Sequence, residues 1–155
     1  MNSRYIVIGI IQRGDEIILG KKAKGVPPYP DVWHTPGGGA DDTGFAAELY
    51  DKSAFNDEYF LSELKREMRE ELGVEITNIR NIVPEYRQEP RQAETANKHG
   101  EMTHYFFLEY LCDYAGGDLV PSDDLAEAKW VKKNELKNFS LTPPSIEMYK
   151  ELGWL

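Results

Sequence analysis

Apolar positions along the chain fall into short runs separated by turn residues. Tyr5 to Ile11 and Glu16 to Lys21 are β-branched, apolar runs joined by Arg13-Gly14-Asp15, a pattern that predicts a hairpin. In the following stretch, KAKGVPPYPDVWHTPGGGADDTG, proline and glycine recur so often that only a loop with a short strand around Val32 to Thr35 fits. Loops of this kind are natural places for function. Phe45 to Phe55 predicts a short extra helix, after which Asn56 or Asp57 caps a stronger helix running to about Leu72, with Gly73 as its stop. Ile76 to Arg87 reads as a strand in which Pro84 marks a bulge or an edge. Met102 to Cys112 is the most strand-like run, Glu127 to Val131 is a shorter one, and QEPRQAETANKHGE reads as a long polar connection. Asn134 to Phe139 suggests a helical turn, and Ser145 to Leu152, behind Pro143-Pro144, a terminal helix. No internal repeat is visible. This order of elements predicts an α/β or α+β sheet covered by helices.

The strong helix carries its own problem. With about 100° per residue, Leu61, Leu64, Met68 and Leu72 share one stripe, which should pack on the sheet. Glu63, Glu67, Glu70 and Glu71 gather on a second face, and Lys65, Arg66 and Arg69 on a third. Neighbours three or four residues apart help only when their signs differ, by roughly 0.2–0.5 kcal/mol per pair. Like-charge neighbours outnumber the two opposite pairs, Glu63/Arg66 and Arg66/Glu70, so the acidic face needs compensation. A hard, oxygen-seeking divalent cation such as Mg²⁺ or Mn²⁺ would supply it. One cysteine and three scattered histidines, His34, His99 and His104, exclude an ordinary structural zinc site built from sequence neighbours. Periodicity alone leaves the face open between a solvated surface and a metal site.

Length and composition change the picture only at its edges. A chain of 155 residues with 41% apolar and 29% charged residues suits a single folded domain, 1–155. A net charge of −9 argues against binding long nucleic acids, which need a basic surface, so a small anionic substrate would require local help. Cys112 is the sole cysteine, the apolar run at the N-terminus has no small-residue cleavage site after it, and no stretch approaches a membrane span. These features predict a cytoplasmic protein with no membrane partner.

The run REMREELGV resembles the second half of the Nudix box, G-x5-E-x7-R-E-U-x-E-E-x-G-U with U apolar. Arg66, Glu67, Met68, Glu70, Glu71, Gly73 and Val74 fill its fixed positions, and seven residues separate Glu58 from Arg66 as the pattern asks. WHTPGGG upstream resembles the W-x-x-P-G-G segment of MutT-like members. The pattern is broken in one place: nineteen residues separate Gly38 from Glu58 where five are expected. The fourteen extra residues fall in a loop, where added length costs little closure entropy, and offer a lid or an oligomer contact such as a homodimer interface.

The resemblance implies a Nudix α/β/α sandwich with a mixed β-sheet and a pyrophosphohydrolase that uses Mg²⁺ or Mn²⁺. It implies metal ligation by Glu67, Glu70, Glu71, the carbonyl of Gly37 or Gly38, and Glu127. Glu67 or Glu70 would be the general base, with Glu127 as competitor; Arg66 would orient the glutamates and Glu58 would pair with it. The substrate would be a small nucleotide cleaved at a P–O–P bond, with a nucleoside triphosphate first and ADP-ribose or a nucleotide sugar as the alternative. A non-catalytic nucleotide-binding module is the reading from another class, although such modules usually lose box glutamates that this chain keeps. Pro90, the sixteenth residue after Val74, is one place out of register with the proline that marks ADP-ribose hydrolases. Trp33 and Tyr29 border the glycine segment and are candidates to stack on a base, against a core role for the tryptophan. Arg87, with Arg91, Lys98 and His99, is a candidate phosphate contact against a plain solvated loop. His104 reads as a packing residue and Cys112 as a small buried hydrophobe.

Overall fold

The computed structural model describes residues 2–25, 29–40, 58–82, 89–97, 99–122 and 125–155. In order these form β1 (Asn2–Arg13), β2 (Glu16–Lys22), β3 (Trp33–His34), β4 (Gly37–Gly39), α1 (Glu58–Leu72), β5 (Glu75–Asn81), β6 (Arg91–Ala96), β7 (Met102–Gly116), β8 (Leu125–Lys132), a 3-10 turn (Lys133–Asn138) and α2 (Pro143–Glu151). The extra helix expected at Phe45 to Phe55, the caps Asn56 and Asp57, the bulge at Pro84, and Arg87 and Lys98 all lie outside the described residues, as does most of the segment inserted in the box.

The strands make one mixed sheet with the path β3-β2-β1-β7-β5, on which β4 also pairs with β1, β6 with β7 and β8 with β2. The expected hairpin is present, with Arg13 opposite Glu16 and Gly14 in the left-handed region at φ 60°. Beyond it β1 runs parallel to β7 over eleven residue pairs, from Asn2 opposite Thr103 to Gln12 opposite Asp113. That central position explains the apolar content of both strands, since a strand covered on both faces reads as a continuous run.

Alternation along β1 divides the core in two. Tyr5, Val7 and Ile11 pack with Phe60, Leu64, Met68 and Leu72 of α1 on one face. Ile8 and Ile10 pack with Met148 and Tyr149 of α2 on the other. The helices therefore cover opposite faces, the expected α/β/α sandwich. Phe60, Leu64, Met68 and Leu72 are each fully buried, a gain of about 1.5–3 kcal/mol per side chain. Phe60 thus takes the place in the buried stripe that the helical spacing gave to Leu61, which is only partly covered.

α1 ends as its sequence predicts. Gly73 adopts φ 72° and donates its N–H to the Arg69 carbonyl at 3.0 Å. Val120 and Ser122 then donate backbone N–H groups to the carbonyls of Leu72 and Glu71, both at 2.9 Å, so the last turn is closed by the strand connection that follows β7.

Two sequence expectations are corrected here. The glycine segment is a strand rather than part of a loop: Gly37, Gly38 and Gly39 stand opposite Ile8, Val7 and Ile6 of β1. The polar connection contains β6, antiparallel to β7 with Arg91 opposite Phe107 and Ala96 opposite Met102. Its side chains alternate between half-buried and exposed, a period of two masked in the sequence because the inward residues include Ala93 and Thr95 rather than large apolar groups.

Candidate active site

A cavity of about 800 Å³ opens between β4, the N-terminus of α2 and the carboxylate face of α1. Its floor is the sheet face carrying Ile6 and Ile8 of β1 and Tyr105 and Phe107 of β7. At one end stand Glu67, Glu70 and Glu71, which α1 brings into the cavity together with Gly37, Gly38 and Gly39.

Arg66 organises the acidic end. Its guanidinium donates to Glu63 at 2.6 Å, to Glu67 at 3.2 Å and to Glu70 at 2.8 Å. The repulsion that seemed to require a cation is thus met in part by one arginine bridging three carboxylates. Glu58 is exposed in the first turn of α1, and the carboxylates on Arg66 are these three instead. Glu67 is 9% exposed, unusual for a carboxylate unless it is paired. Gly38 makes the room: a side chain there would bring its Cβ to 2.6 Å from the Glu67 carboxylate carbon.

The donor set suits a hard divalent cation, because it is made of carboxylates beside a strand of bare glycine backbone and contains no thiolate. Among the described residues no three Asp, Glu, His or Cys side chains converge as a ready ligand cluster; Glu67 and Glu70 are turned onto Arg66. Glu127 is exposed on β8 opposite Lys21 and is not among the described residues lining the cavity.

The remaining candidates divide. Tyr29 lines the cavity from a left-handed backbone position, φ 54°, and His99 lines it as well. Trp33 packs edge-on against Phe139 at 5.8 Å in the α2-side core, with the Lys129 ammonium 4.8 Å from its ring centre, so it serves the fold rather than the cavity wall. Arg91 is not a loose loop cation: it pairs with Glu109 at 3.0 Å, Glu147 at 2.7 Å and Glu151. His104 stacks on Phe106 and its Nε2 meets Gln92 Oε1 at 2.8 Å. Cys112 is buried, with its thiol pushed up to about 12 by desolvation, and is an inert hydrophobe.

Sequence reasoning missed the cavity's inner wall. Thr35 donates its N–H to Ser145 Oγ at 3.1 Å, and its hydroxyl meets Ser145 Oγ at 3.0 Å and the Tyr149 hydroxyl at 2.6 Å. Trp33 exchanges backbone hydrogen bonds with Ser140 and Thr142, which docks β3 against the start of α2. Burial raises the Tyr149 hydroxyl's pKa, with the hydrogen bonds opposing. Arg4 was also missed, although it is in phase with Ile6 and Ile8 on β1, a charge on an otherwise apolar face.

Residues 2–152 match the NUDIX domain family. The chain belongs to the Nudix family. Its class is that of hydrolases acting on phosphoric anhydride bonds, and a divalent metal is the usual cofactor of such enzymes. The Nudix chain is 28% identical to a nucleoside triphosphatase NudI of Klebsiella pneumoniae (strain 342), over 100% of both proteins. It is 28% identical to the NudI of Salmonella agona (strain SL483), over 91% of this chain and 90% of that one. The fold matches the solution structure of the E. coli ORF135 protein at a TM-score of 0.65 and 24% identity, covering 99% of this chain and 90% of that one. It also matches a MutT NUDIX hydrolase from Burkholderia pseudomallei at a TM-score of 0.65 and 19% identity, covering 98% and 99%. No helix among the described residues is long and apolar enough to cross a membrane.

Proposed function

We propose that this Nudix protein is a cytoplasmic nucleoside triphosphate pyrophosphohydrolase dependent on Mg²⁺ or Mn²⁺. The observation that carries the reading is the juxtaposition of three box glutamates with Gly38 at one end of a cavity whose floor is apolar and aromatic. Such a cavity has a place for a polyphosphate at one end and for a nucleoside at the other. The similarity to NudI nucleoside triphosphatases supports the choice of substrate.

Glu67, Glu70 and Glu71, with a carbonyl of the glycine strand, would hold the cation, which when bound neutralises phosphate charge and lowers the pKa of bound water. The chain's own residues do the rest. Arg66 fixes the carboxylates relative to one another. Glu67, with a side chain 11% exposed, is locked between Arg66 and Gly38 and suits a ligand's role. Glu70, 51% exposed, has room for a water at its carboxylate and is the better general base, taking the proton as water attacks phosphorus. Ile6, Ile8 and Phe107 offer the nucleoside a flat apolar floor, and Tyr29 stands at its edge.

The test is a screen of nucleoside triphosphates, ADP-ribose and nucleotide sugars with Mg²⁺ or Mn²⁺, assaying phosphate with and without added inorganic pyrophosphatase for the triphosphates and added phosphomonoesterase for the others. Turnover of triphosphates to monophosphate and pyrophosphate is the expected result. Faster turnover of ADP-ribose or a nucleotide sugar would replace the substrate assignment. No turnover of any of them, with binding retained, would favour a binding module.

A further inference from the structure

Arg4 lines the cavity from β1, directly opposite Tyr105 of β7. Its guanidinium lies against the backbone of Gly39: three of its atoms, Nη2, Cζ and Nε, are the nearest neighbours of the point where a Cβ at Gly39 would stand. Contact through three atoms of one planar group means that the guanidinium is laid across the glycine, held in place by a residue without a side chain. Arg4 is exposed, and no carboxylate among the described residues forms an ion pair with it. The contrast with Arg66 and Arg91, each committed to three carboxylates, is sharp in a chain of net charge −9.

Position along β4 gives this cation its meaning. Gly38 abuts the Glu67 carboxylate on the α1 side of the strand, and the next residue, Gly39, abuts Arg4 on the side of the cavity floor. Arg4 and the three box glutamates line the same cavity, so a polyanion reaching the carboxylate end across the edge of β4 passes the face on which Arg4 lies. A guanidinium presents donors in a planar fork that matches two phosphate oxygens. We propose that Arg4 is a phosphate-binding residue of this site, pairing with the polyphosphate of the substrate. This inference rests on the reading of the site as one for nucleotide polyphosphates, and it adds a residue that contacts the polyphosphate chain.

Gly39 supplies a second variant that leaves Arg4 itself intact. A Cβ at residue 39 displaces only the end of a flexible side chain, and the backbone there needs no left-handed conformation, so Gly39→Ala should fold. Arg4→Ala, Arg4→Lys, Gly39→Ala and the double variant R4A/G39A are compared by titration calorimetry in EDTA, using inorganic tripolyphosphate, a nucleoside triphosphate and the free nucleoside. The corresponding steady-state kinetics are measured with Mg²⁺.

Losing a charge-assisted, forked contact should weaken both polyphosphate ligands about tenfold in R4A. The same loss should appear in G39A and not add in the double variant, with partial retention in R4K and unchanged nucleoside binding. In kinetics KM should rise with kcat nearly constant. Equal weakening of nucleoside and triphosphate would overturn the proposal, because Arg4 would then hold the base or sugar. Unchanged affinity, or additive losses in R4A/G39A, would overturn it as well. Absence of wild-type turnover with tripolyphosphate still bound through Arg4 would reject the hydrolase reading and leave this assignment standing.

Discussion

The carboxylate of Glu67 occupies the space that a side chain at Gly38 would need. A Cβ there would stand 2.6 Å from its Cδ and 2.9 Å from Oε1. A residue of α1 and a residue of β4 are thereby fixed to each other across the edge of the sheet. The second glycine of the segment upstream of the box is therefore required by volume.

Gly38→Ala tests that relation. The added methyl must push the carboxylate away from the strand, and shifting a catalytic group by about 1 Å can cost on the order of a hundredfold. We expect kcat/KM to fall by about that factor, while stability in EDTA changes by about 1 kcal/mol, because what moves is a side-chain end. Measuring hydrolysis beside urea unfolding separates the two; an active G38A would show that the position of Glu67 is not needed.

Glu70→Gln separates chemistry from fold at the neighbouring carboxylate. Glu70 is half exposed and its ion pair with Arg66 is an i,i+4 pair on a helix surface, worth about 0.3–0.5 kcal/mol at most. The variant removes a ligand charge and the proposed base while relieving repulsion from Glu67 and Glu71. Hydrolysis should be lost and Mg²⁺ affinity should drop in calorimetry, with the metal-free unfolding midpoint within a degree or two of wild type. A variant that unfolds readily yet turns over normally would mean that Glu70 is a structural residue.

Away from the site, Arg91 and Glu109 are the opposite case. Glu109 is fully buried and Arg91 reaches it at 3.0 Å from β6 while also holding Glu147 and Glu151 of α2. Glu109 and Glu151 keep the Arg91 guanidinium charged against the desolvation that opposes it. Removing one member of a buried pair costs roughly 3–5 kcal/mol, whereas replacing both with apolar residues is often tolerated. Arg91→Met should therefore destabilise strongly in urea unfolding, and R91M/E109L should recover much of the loss. A mild single variant would indicate that Glu109 is carried by its other contacts.

What the sequence made legible follows from how local each signal is. The hairpin at Gly14, the stop at Gly73 and the grouping of Glu67, Glu70 and Glu71 depend on residues a few positions apart, and the structure has all three. The Nudix spacing added the sandwich, which a pattern of apolar runs does not specify. β6 stayed hidden because Ala93 and Thr95 give no apolar contrast, yet β7 recruits the strand at long range. Phe60, four residues before Leu64, competes with Leu61 for the same stripe, and its contact with the Tyr5 ring, 4.8 Å away and distant in sequence, goes with its burial. Arg91 looked like a mobile loop cation for the same reason: Glu109 and α2, which fix it, are distant in sequence. Arg66 was expected to brace the helix, but its bridging of three carboxylates was visible only as two favourable pairs among many unfavourable ones.

His34 should give the protein a pH-dependent stability. Its Nδ1–H donates to the Thr35 carbonyl at 3.0 Å, which leaves the lone pair on Nε2, and desolvation lowers its pKa, with Lys22 adding to the effect and the Thr35 bond opposing it. The folded state thus resists a proton that the unfolded state accepts near its ordinary value of about 6.5. Below that pH the unfolded chain binds more protons, so stability is present above about pH 6.5 and declines as pH falls toward the depressed folded value. Carboxylates add their own slopes in the same window, so the diagnostic quantity is the difference between wild type and His34→Gln. Urea unfolding in EDTA from pH 8 to pH 5 should show wild type losing stability more steeply than the variant below about pH 6.5, the two running parallel above it. Parallel curves throughout would mean that His34 is solvated enough to titrate alike in both states.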